Sequence, residues 1–328
     1  MARRPPRRTE HARSFERALR FVEAEQLSNG EIPNYRRIEG DKWEYCFSPL
    51  ASAVTHDVLG MLDPLSATFD AQALEQAGEE RRMIFGRIVA RLRRRIRRFL
   101  AWQQRSDGTW RFFGHGSDLP SDLETTACSA AALLDGGRAG GGVRPIALRG
   151  FVHDDGLFRS PGSRGNETDP DPWMERAANV QLMRCLAAQG EPDPAAAEAL
   201  ATDCRAAGDG GASSLSLLYA VGRLCQKSRV GALEQVAMRS IEAWLADTRD
   251  GATRFTTPLS CGLWLNIAID FRQRAAVAPA ARAVAAWLET PHRRRMDGLC
   301  DSRCAAPGLT TAVGLVGLAR ASAFEELS

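Results

Sequence analysis

The sequence predicts an all-α fold of six helical hairpins that can close into a ring, and three observations predict it. An Asn-Gly or Asp-Gly turn recurs along the chain, at Asn29-Gly30, Asp107-Gly108, Asp155-Gly156, Asp209-Gly210, Asp250-Gly251 and Asp297-Gly298. Each turn leads into a helix rich in small residues, and all but one of these helices open at or beside a proline. Proline suits the first helical position because its missing N–H would have had no partner there. Ahead of several turns stands a second helical pattern with a tryptophan near its end, at Trp102, Trp244 and Trp287. Self-similarity at a period of roughly 45 residues marks stacked helical hairpins, none of which buries its apolar face alone.

Taken in order, residues 1–12 are rich in Arg and Pro without apolar periodicity and are expected to be disordered. SFERALRFVEAEQ from Ser14 puts Phe15, Leu19 and Val22 on one face and predicts the first outer helix. SPLASAVTHDVLGML from Ser48 is the first inner helix. The stretch from Phe69 to Gln104 is helical in pattern and is one long helix or two. Its run ARLRRRIRRFL sets Leu92, Ile96, Phe99 and Leu100 at helical spacing, so the arginines form the solvated face of an outer helix. Further inner helices are PSDLETTACSAAALL from Pro120, DPWMERAANVQLMRCL from Asp171, SSLSLLYAVGRL from Ser213, TPLSCGLWLNIAIDF from Thr257 and APGLTTAVGLVGLAR from Ala306. The third outer helix, GVRPIALRGF, is weak. The small residues of the inner helices either let helices approach closely or leave room for a ligand.

Composition limits the class. At 328 residues the chain has the length of two domains, but one repeated unit from residue 13 to the end predicts a single closed domain. A hydrophobic share of 44% and a charged share of 25% suit a globular protein with a large core. No long apolar run and no apolar signal core after MARRPPRR are present, so a soluble, cytoplasmic protein is expected. Cys128, Cys185, Cys225 and Cys261 fall within inner helices as small buried hydrophobes, which fits a reducing compartment better than disulfides. Cys300 and Cys304 lack a histidine at zinc-ligand spacing. The net charge of +3 carries no aromatic-interleaved basic motif, so no nucleic-acid partner is expected. Peripheral contact of the arginine face with a membrane remains an alternative to plain solvation.

QQRSDGTW, Gln103 to Trp110, matches the Gln-x-x-x-Gly-x-Trp pattern of the QW repeat, and EQLSNGEI from Glu25 is a degenerate copy. DLETTA, Asp122 to Ala127, resembles the Asp-x-Asp-Asp-Thr-Ala acid motif of class II terpene cyclases. The chain therefore resembles the prenyltransferase and squalene-oxidase repeat superfamily, in particular squalene-hopene and other class II cyclases. That resemblance implies an (α/α)6 toroid with inner helices around a central cavity. It also implies an acid that protonates an alkene or epoxide. Glu124 stands where the family has its central Asp, and Thr125 replaces the next one. The family's usual two helical domains also exceed what one chain of this length holds. The single-toroid prenyltransferase β subunits use an Asp, Cys and His zinc triad that is not found here, so protein prenylation is not expected.

Asp122 and Glu124 open the second inner helix, and Glu167, Asp169 and Asp171 lie at the start of the third. A carboxylic acid that donates to a carbon–carbon double bond must be kept protonated, by desolvation or by a second carboxylate. Asp122, Glu124 and Thr125 are accordingly the candidate catalytic residues. Trp110, Phe112, Trp173, His56 and Trp264 are candidates for binding an apolar substrate, with ring faces that stabilise carbocations. An alternative use of Glu167, Asp169 and Asp171 is to hold Mg²⁺ against a diphosphate; otherwise no cofactor is expected. Acidic first turns also arise from the helix dipole alone, and Asp before Pro is a plain helix-start signal. Asn179 and Asn266 fit a structural role, linking helices through their amides. Three functions follow: a cyclase that protonates a linear isoprenoid, a Mg²⁺-dependent synthase that ionises its diphosphate, or a toroid that binds a lipid or a protein without catalysis.

Overall fold

The computed structural model describes residues 8–38, 42–62, 78–114, 118, 120–134, 151, 156–159, 172–190, 193–207, 215–226, 228, 230–247, 257–289 and 304–326. Its helices are α1 (Arg8–Glu25), α2 (Pro49–Gly60), α3 (Gly78–Gln103), α4 (Leu123–Leu134), α5 (Pro172–Ala188), α6 (Pro194–Ala206), α7 (Leu215–Cys225), α8 (Gly231–Asp247), α9 (Pro258–Asp270), α10 (Arg274–Glu289) and α11 (Pro307–Glu326). The inner helices predicted from proline begin at Pro49, Pro172, Pro258 and Pro307 as expected, while α4 begins three residues after Pro120, at Leu123. At α9 the start is a full capping box, in which Thr257 and Ser260 exchange side-chain and backbone bonds ahead of Pro258. The Phe69–Gln104 pattern yields one helix over its described part. Helix α1 begins at Arg8, so residues 8–12, expected to be disordered, are helical. No helix of the described residues is long and apolar enough to cross a membrane. The predicted helix GVRPIALRGF lies outside the described residues except for Phe151, and the turns at Asp209, Asp250 and Asp297 lie outside them too.

The chain divides into two compact units, one of Met1–Phe47, Thr55–Phe99 and Phe255–Ser328, the other of Ser48–Val54 and Leu100–Arg254. In the first, α1 and α3 run side by side in the same direction. Phe15 meets Phe85 with ring centroids 5.2 Å apart, and further along Gln26 Nε2 donates to Leu92 O at 3.2 Å. Helices α9 and α11 pack closely, and α10 and α1 cover α11. Glycines set the separation: a Cβ on Gly262 would stand 3.0 Å from Val313 Cγ1, and one on Gly317 would stand 3.0 Å from Leu265 Cδ2. Between these two helices the small residues serve close approach. Asn266 bridges the pair, donating to Gly262 O and Val313 O at 2.9 and 3.2 Å. Its Oδ1 accepts from Arg320 at 3.0 Å, and Arg320 also forms an ion pair with Asp270 and reaches Met61 Sδ.

The first unit also holds an element that the helical repeat did not predict, a three-stranded antiparallel sheet in the order β2-β1-β3. Strand β1 (Asn34–Ile38) pairs with β2 (Lys42–Cys46) in the register Tyr35↔Tyr45, and with β3 (Cys304–Ala305) in the register Tyr35↔Ala305. Tyr35, Ile38, Trp43 and Tyr45 flank Gly40-Asp41 in sequence, which is a hairpin signal of β-favouring residues around a turn pair.

In the second unit α4 packs on α5 and α5 on α7, with α6 and α8 against them. Leu123, Ala127, Phe151, Phe158, Ala178 and Leu182 form a core cluster between α4, α5 and the segment before α5. Asn179 ties that segment down, accepting from Phe158 N at 2.9 Å and donating to Phe158 O at 2.8 Å. Asn179 and Asn266 thus act as structural linkers, each within its own unit.

Two of the Gly turns are the same at the level of single bonds. Gln26 Nε2 donates to Gly30 O at 3.0 Å and Gln104 Nε2 to Gly108 O at 3.1 Å. The Asn29 and Asp107 side chains accept from the N–H two residues on, at 2.9 and 3.0 Å. Gly30 N and Gly108 N bond the carbonyl three residues back, and both glycines have positive φ, 99° and 81°. Only glycine adopts that conformation at little cost. At Gly30 a Cβ would also collide with Arg95 O at 2.4 Å, because α3 passes directly over the turn.

Candidate active site

The site residues of DLETTA are built by the turn that precedes them. Trp110, the last residue of the Gln-x-x-x-Gly-x-Trp pattern, is fully buried, and its indole N–H donates to Leu100 O at 2.8 Å. Its backbone N–H donates to Thr126 Oγ1 at 3.1 Å and its carbonyl accepts from Asp122 N at 3.3 Å. Thr109 and Ser121 share a hydroxyl bond of 2.6 Å. The turn is therefore fastened both to the end of α3 and to the start of α4. Trp110 was a candidate for substrate contact, yet these bonds are all structural. Thr126, Ser121 and Gln104 were passed over as site residues, although the Thr-Ala ending of the motif and the Gln of the turn were both visible.

Asp122 caps α4. Its Oδ1 accepts from Thr125 N at 2.7 Å, the bond expected of an N-cap residue. Its Oδ2 is sealed from solvent and has no hydrogen-bond partner among the described residues. Burial raises the Asp122 carboxyl above its ordinary value, and does so against the Thr125 N–H and hydroxyl, its own N–H and that of Phe112, all of which favour the anion. Thr125 and Ser129 are fully buried, and among the described residues neither hydroxyl oxygen has a hydrogen-bond partner of ordinary geometry. Positions 122, 125 and 129 share one face of the helix, while Leu123, Thr126, Ala127 and Ala130 form the face that meets the core and Trp110.

Glu124, half-buried, stands in the first turn. Positions two apart lie about 200° round a helix axis and do not face each other. Glu124 is not among the groups that shift Asp122, so desolvation alone holds up the Asp122 carboxyl. A proton shared between the two carboxylates, as the spacing had led us to expect, is not what this geometry sets up.

Phe112 and Phe113, both half-buried, stack edge-on with centroids 4.8 Å apart, just before α4. Trp173 sits at the start of α5 with the Arg176 guanidinium 4.5 Å above its ring. Arg176 in turn bonds Asp203 of α6 at 2.7 Å. One face of Trp173 already holds a cation. His56 and Trp264 belong to the first unit, His56 fully buried beside buried Asp57 and Trp264 buried on α9. Glu167, Asp169 and Asp171 lie outside the described residues. Among the described residues no group of three or more His, Cys, Asp or Glu side chains could hold a metal ion.

No family model matches the chain, and no curated protein is significantly similar to it in sequence. Solved structures are similar in fold. The type II terpene cyclase MstE from Scytonema, without ligand, superimposes with a TM-score of 0.56 at 12% identity, over 97% of this chain and 99% of that one. An arginine-to-alanine variant of MstE, in complex with its substrate geranylgeranyl dihydroxybenzoate, gives 0.56 at 13% identity over 97% and 99%. An aspartate-to-asparagine variant with the same substrate gives 0.55 at 13% identity over 98% and 99%. The chain thus has the fold of a type II terpene cyclase, in the all-α toroid class that the helical repeat and the QW-like turn implied.

Proposed function

We propose that the chain is a terpene cyclase that protonates and cyclises a linear isoprenoid, free, as a diphosphate or attached to a natural product. Asp122 carries the reading: a carboxyl at a helix N-terminus, where the dipole favours the anion, whose pKa is nevertheless raised by burial. The raised pKa extends the pH range over which the carboxyl keeps a proton to give, and the Thr125 N–H at 2.7 Å stabilises the carboxylate that is left. In this reading the Asp122 proton passes to an alkene carbon and leaves a carbocation. Ring closures follow as further double bonds attack, and loss of a C–H proton to a base ends the sequence as an isomer of the substrate. Phe112 and Trp173, of the same unit as Asp122, are the aromatic groups offered to the cation. Thr125 tunes the acid through its N–H and hydroxyl, and Glu124 keeps the family's acid position. The partners in this reading are an apolar isoprenoid and, at the outside of the protein, a membrane surface.

The test is product formation from geranyl, farnesyl and geranylgeranyl substrates, with and without diphosphate, by the wild type and by Asp122→Asn and Glu124→Gln. Activity that survives EDTA and is lost in Asp122→Asn supports the reading. Full activity of Asp122→Asn overturns it. Loss of activity in EDTA with release of pyrophosphate would replace it by the Mg²⁺-dependent synthase.

A further inference from the structure

The arginines of α3 divide into two sets with different work. Arg95 holds the first Gly turn, donating to Leu27 O and Ser28 O, and Arg93 lies against Gly60. Arg87, Arg91, Arg94 and Arg98 are instead exposed, and their spacing of four, three and four residues sets them in one row along the helix. Among the described residues only Arg91 of the row is ion-paired, with Glu23 of α1. The row begins beside exposed Met83 and ends beside Trp102, which is 64% exposed, so the strip from one to the other is about 28 Å long at the helical rise. No acidic residue interrupts the sequence from Met83 to Gln103. Helix α1, which runs alongside in the same direction, is preceded in sequence by Arg3, Arg4 and Arg7.

A row of like charges three and four apart is unfavourable in a lone helix, and folding gains nothing from it. Solubility would be served as well by alternating signs. An anionic partner reverses the sign of the cost. The row is straight, long and flat, it carries no Asn or Gln to read base edges, and it is bracketed by a large thioether and an exposed indole, a ring that settles at a membrane–water boundary.

We propose that this face of α3 binds the surface of an anionic membrane, with Arg87, Arg91, Arg94 and Arg98 on lipid phosphates and Trp102 and Met83 entering the boundary region. Each arginine close to such a surface strengthens partitioning by about fivefold, and screening at high salt removes most of that. The inference stands independently of the cyclase reading, since its test contains no isoprenoid and no turnover.

The full chain is sedimented with vesicles of phosphatidylcholine alone or mixed with phosphatidylglycerol, at about 0.1 M and about 1 M salt. Binding to the mixed vesicles only, and only at low salt, is expected. Replacing all four arginines by glutamine should weaken it by on the order of a hundredfold, while replacing them by lysine should preserve most of it. Trp102→Ala should weaken binding at the lower salt concentration. Circular dichroism on each variant confirms that the helices are intact. Failure of the wild type to bind the mixed vesicles would overturn the proposal, as would unchanged binding by the folded glutamine variant. So would displacement from vesicles by an equal charge concentration of duplex DNA, which would mark the row as a nucleic-acid surface.

Discussion

Replacing Asp122 by asparagine separates its role as a cap from its proposed role as the acid. The cap depends on Oδ1, which accepts from Thr125 N at 2.7 Å, and an asparagine carbonyl can take the same bond. Asn and Asp rank together as N-caps, so loss of the cap is not expected, whereas Asp122→Ala should cost about 1 kcal/mol. The acid depends on the proton, which asparagine cannot donate, and removal of a general acid lowers turnover by about 10²–10⁴-fold. Stability should also show a pH signature. The folded carboxyl has a raised pKa, so the native state binds more protons than the unfolded state between the unfolded value near 3.8 and the higher folded one. Wild-type stability therefore falls as pH rises through that window and is level above it. Asp122→Asn lacks the titration, so its stability relative to wild type should improve across the same window. Urea unfolding at a series of pH values, beside product assays, measures both effects. An active Asp122→Asn enzyme would refute the role as acid. A relative stability that worsens with rising pH would refute the claim that burial outweighs the helix dipole and the N–H donors.

Gly30→Ala combines a positive φ with a clash on Arg95 O at 2.4 Å and should cost about 2–4 kcal/mol in chemical unfolding. Gln104→Leu removes the donor to Gly108 O in a buried turn and should cost about 1–3 kcal/mol, with some loss of any activity that depends on the start of α4. Arg320→Met takes the ion-pair partner from Asp270, whose side chain is 2% exposed, and should cost about 3–5 kcal/mol by the same measurement; adding Asp270→Leu should recover much of it.

Much of the fold was legible because helix starts have a chemical signature that needs no tertiary context. Proline at the first turn, with Ser, Asp or Thr before it at α2, α5 and α9, points to α2, α5, α9 and α11 within a residue or so of where they begin. At α4 the same reasoning placed the start at Pro120, since it gave proline the weight that belongs to Asp122, the residue that caps the helix. The sheet was missed because the helical period dominated the reading, and β3, two residues long, has no local signal at all. Residues 8–12 read as disordered because they follow the Arg- and Pro-rich start, yet they form the first turns of α1. At the site, residue types were readable and directions were not. Two acids at positions 122 and 124 look like a pair in a sequence, yet on a helix they are turned away from each other. Trp110 and Trp173 look alike as aromatic candidates. The structure tells them apart: the Trp110 indole is bonded to Leu100 O inside the core, whereas the half-buried Trp173 ring carries the Arg176 guanidinium.

The recurring turn bears on the chemistry more directly than as a marker of period. At Gln104–Trp110 it binds the carbonyl at the end of α3 through the indole, and it binds the start of α4 through Thr126 Oγ1, Ser121 Oγ and Asp122 N. Asp122 thus has its backbone fixed from the N-terminal side by the turn and its Oδ1 fixed from the C-terminal side by the cap. A carboxyl held at both ends stays in its buried place, and burial there raises its pKa against the dipole and the N–H donors gathered around it. The first turn, around Gln26, has the same internal bonds but leads into a β-strand rather than directly into a helix, and the carboxyl it fixes is that of Glu31, fully buried and hydrogen-bonded by the Tyr45 hydroxyl at 2.7 Å. The same turn therefore fixes a carboxyl in each unit, within the turn itself in one and at the cap of the following helix in the other.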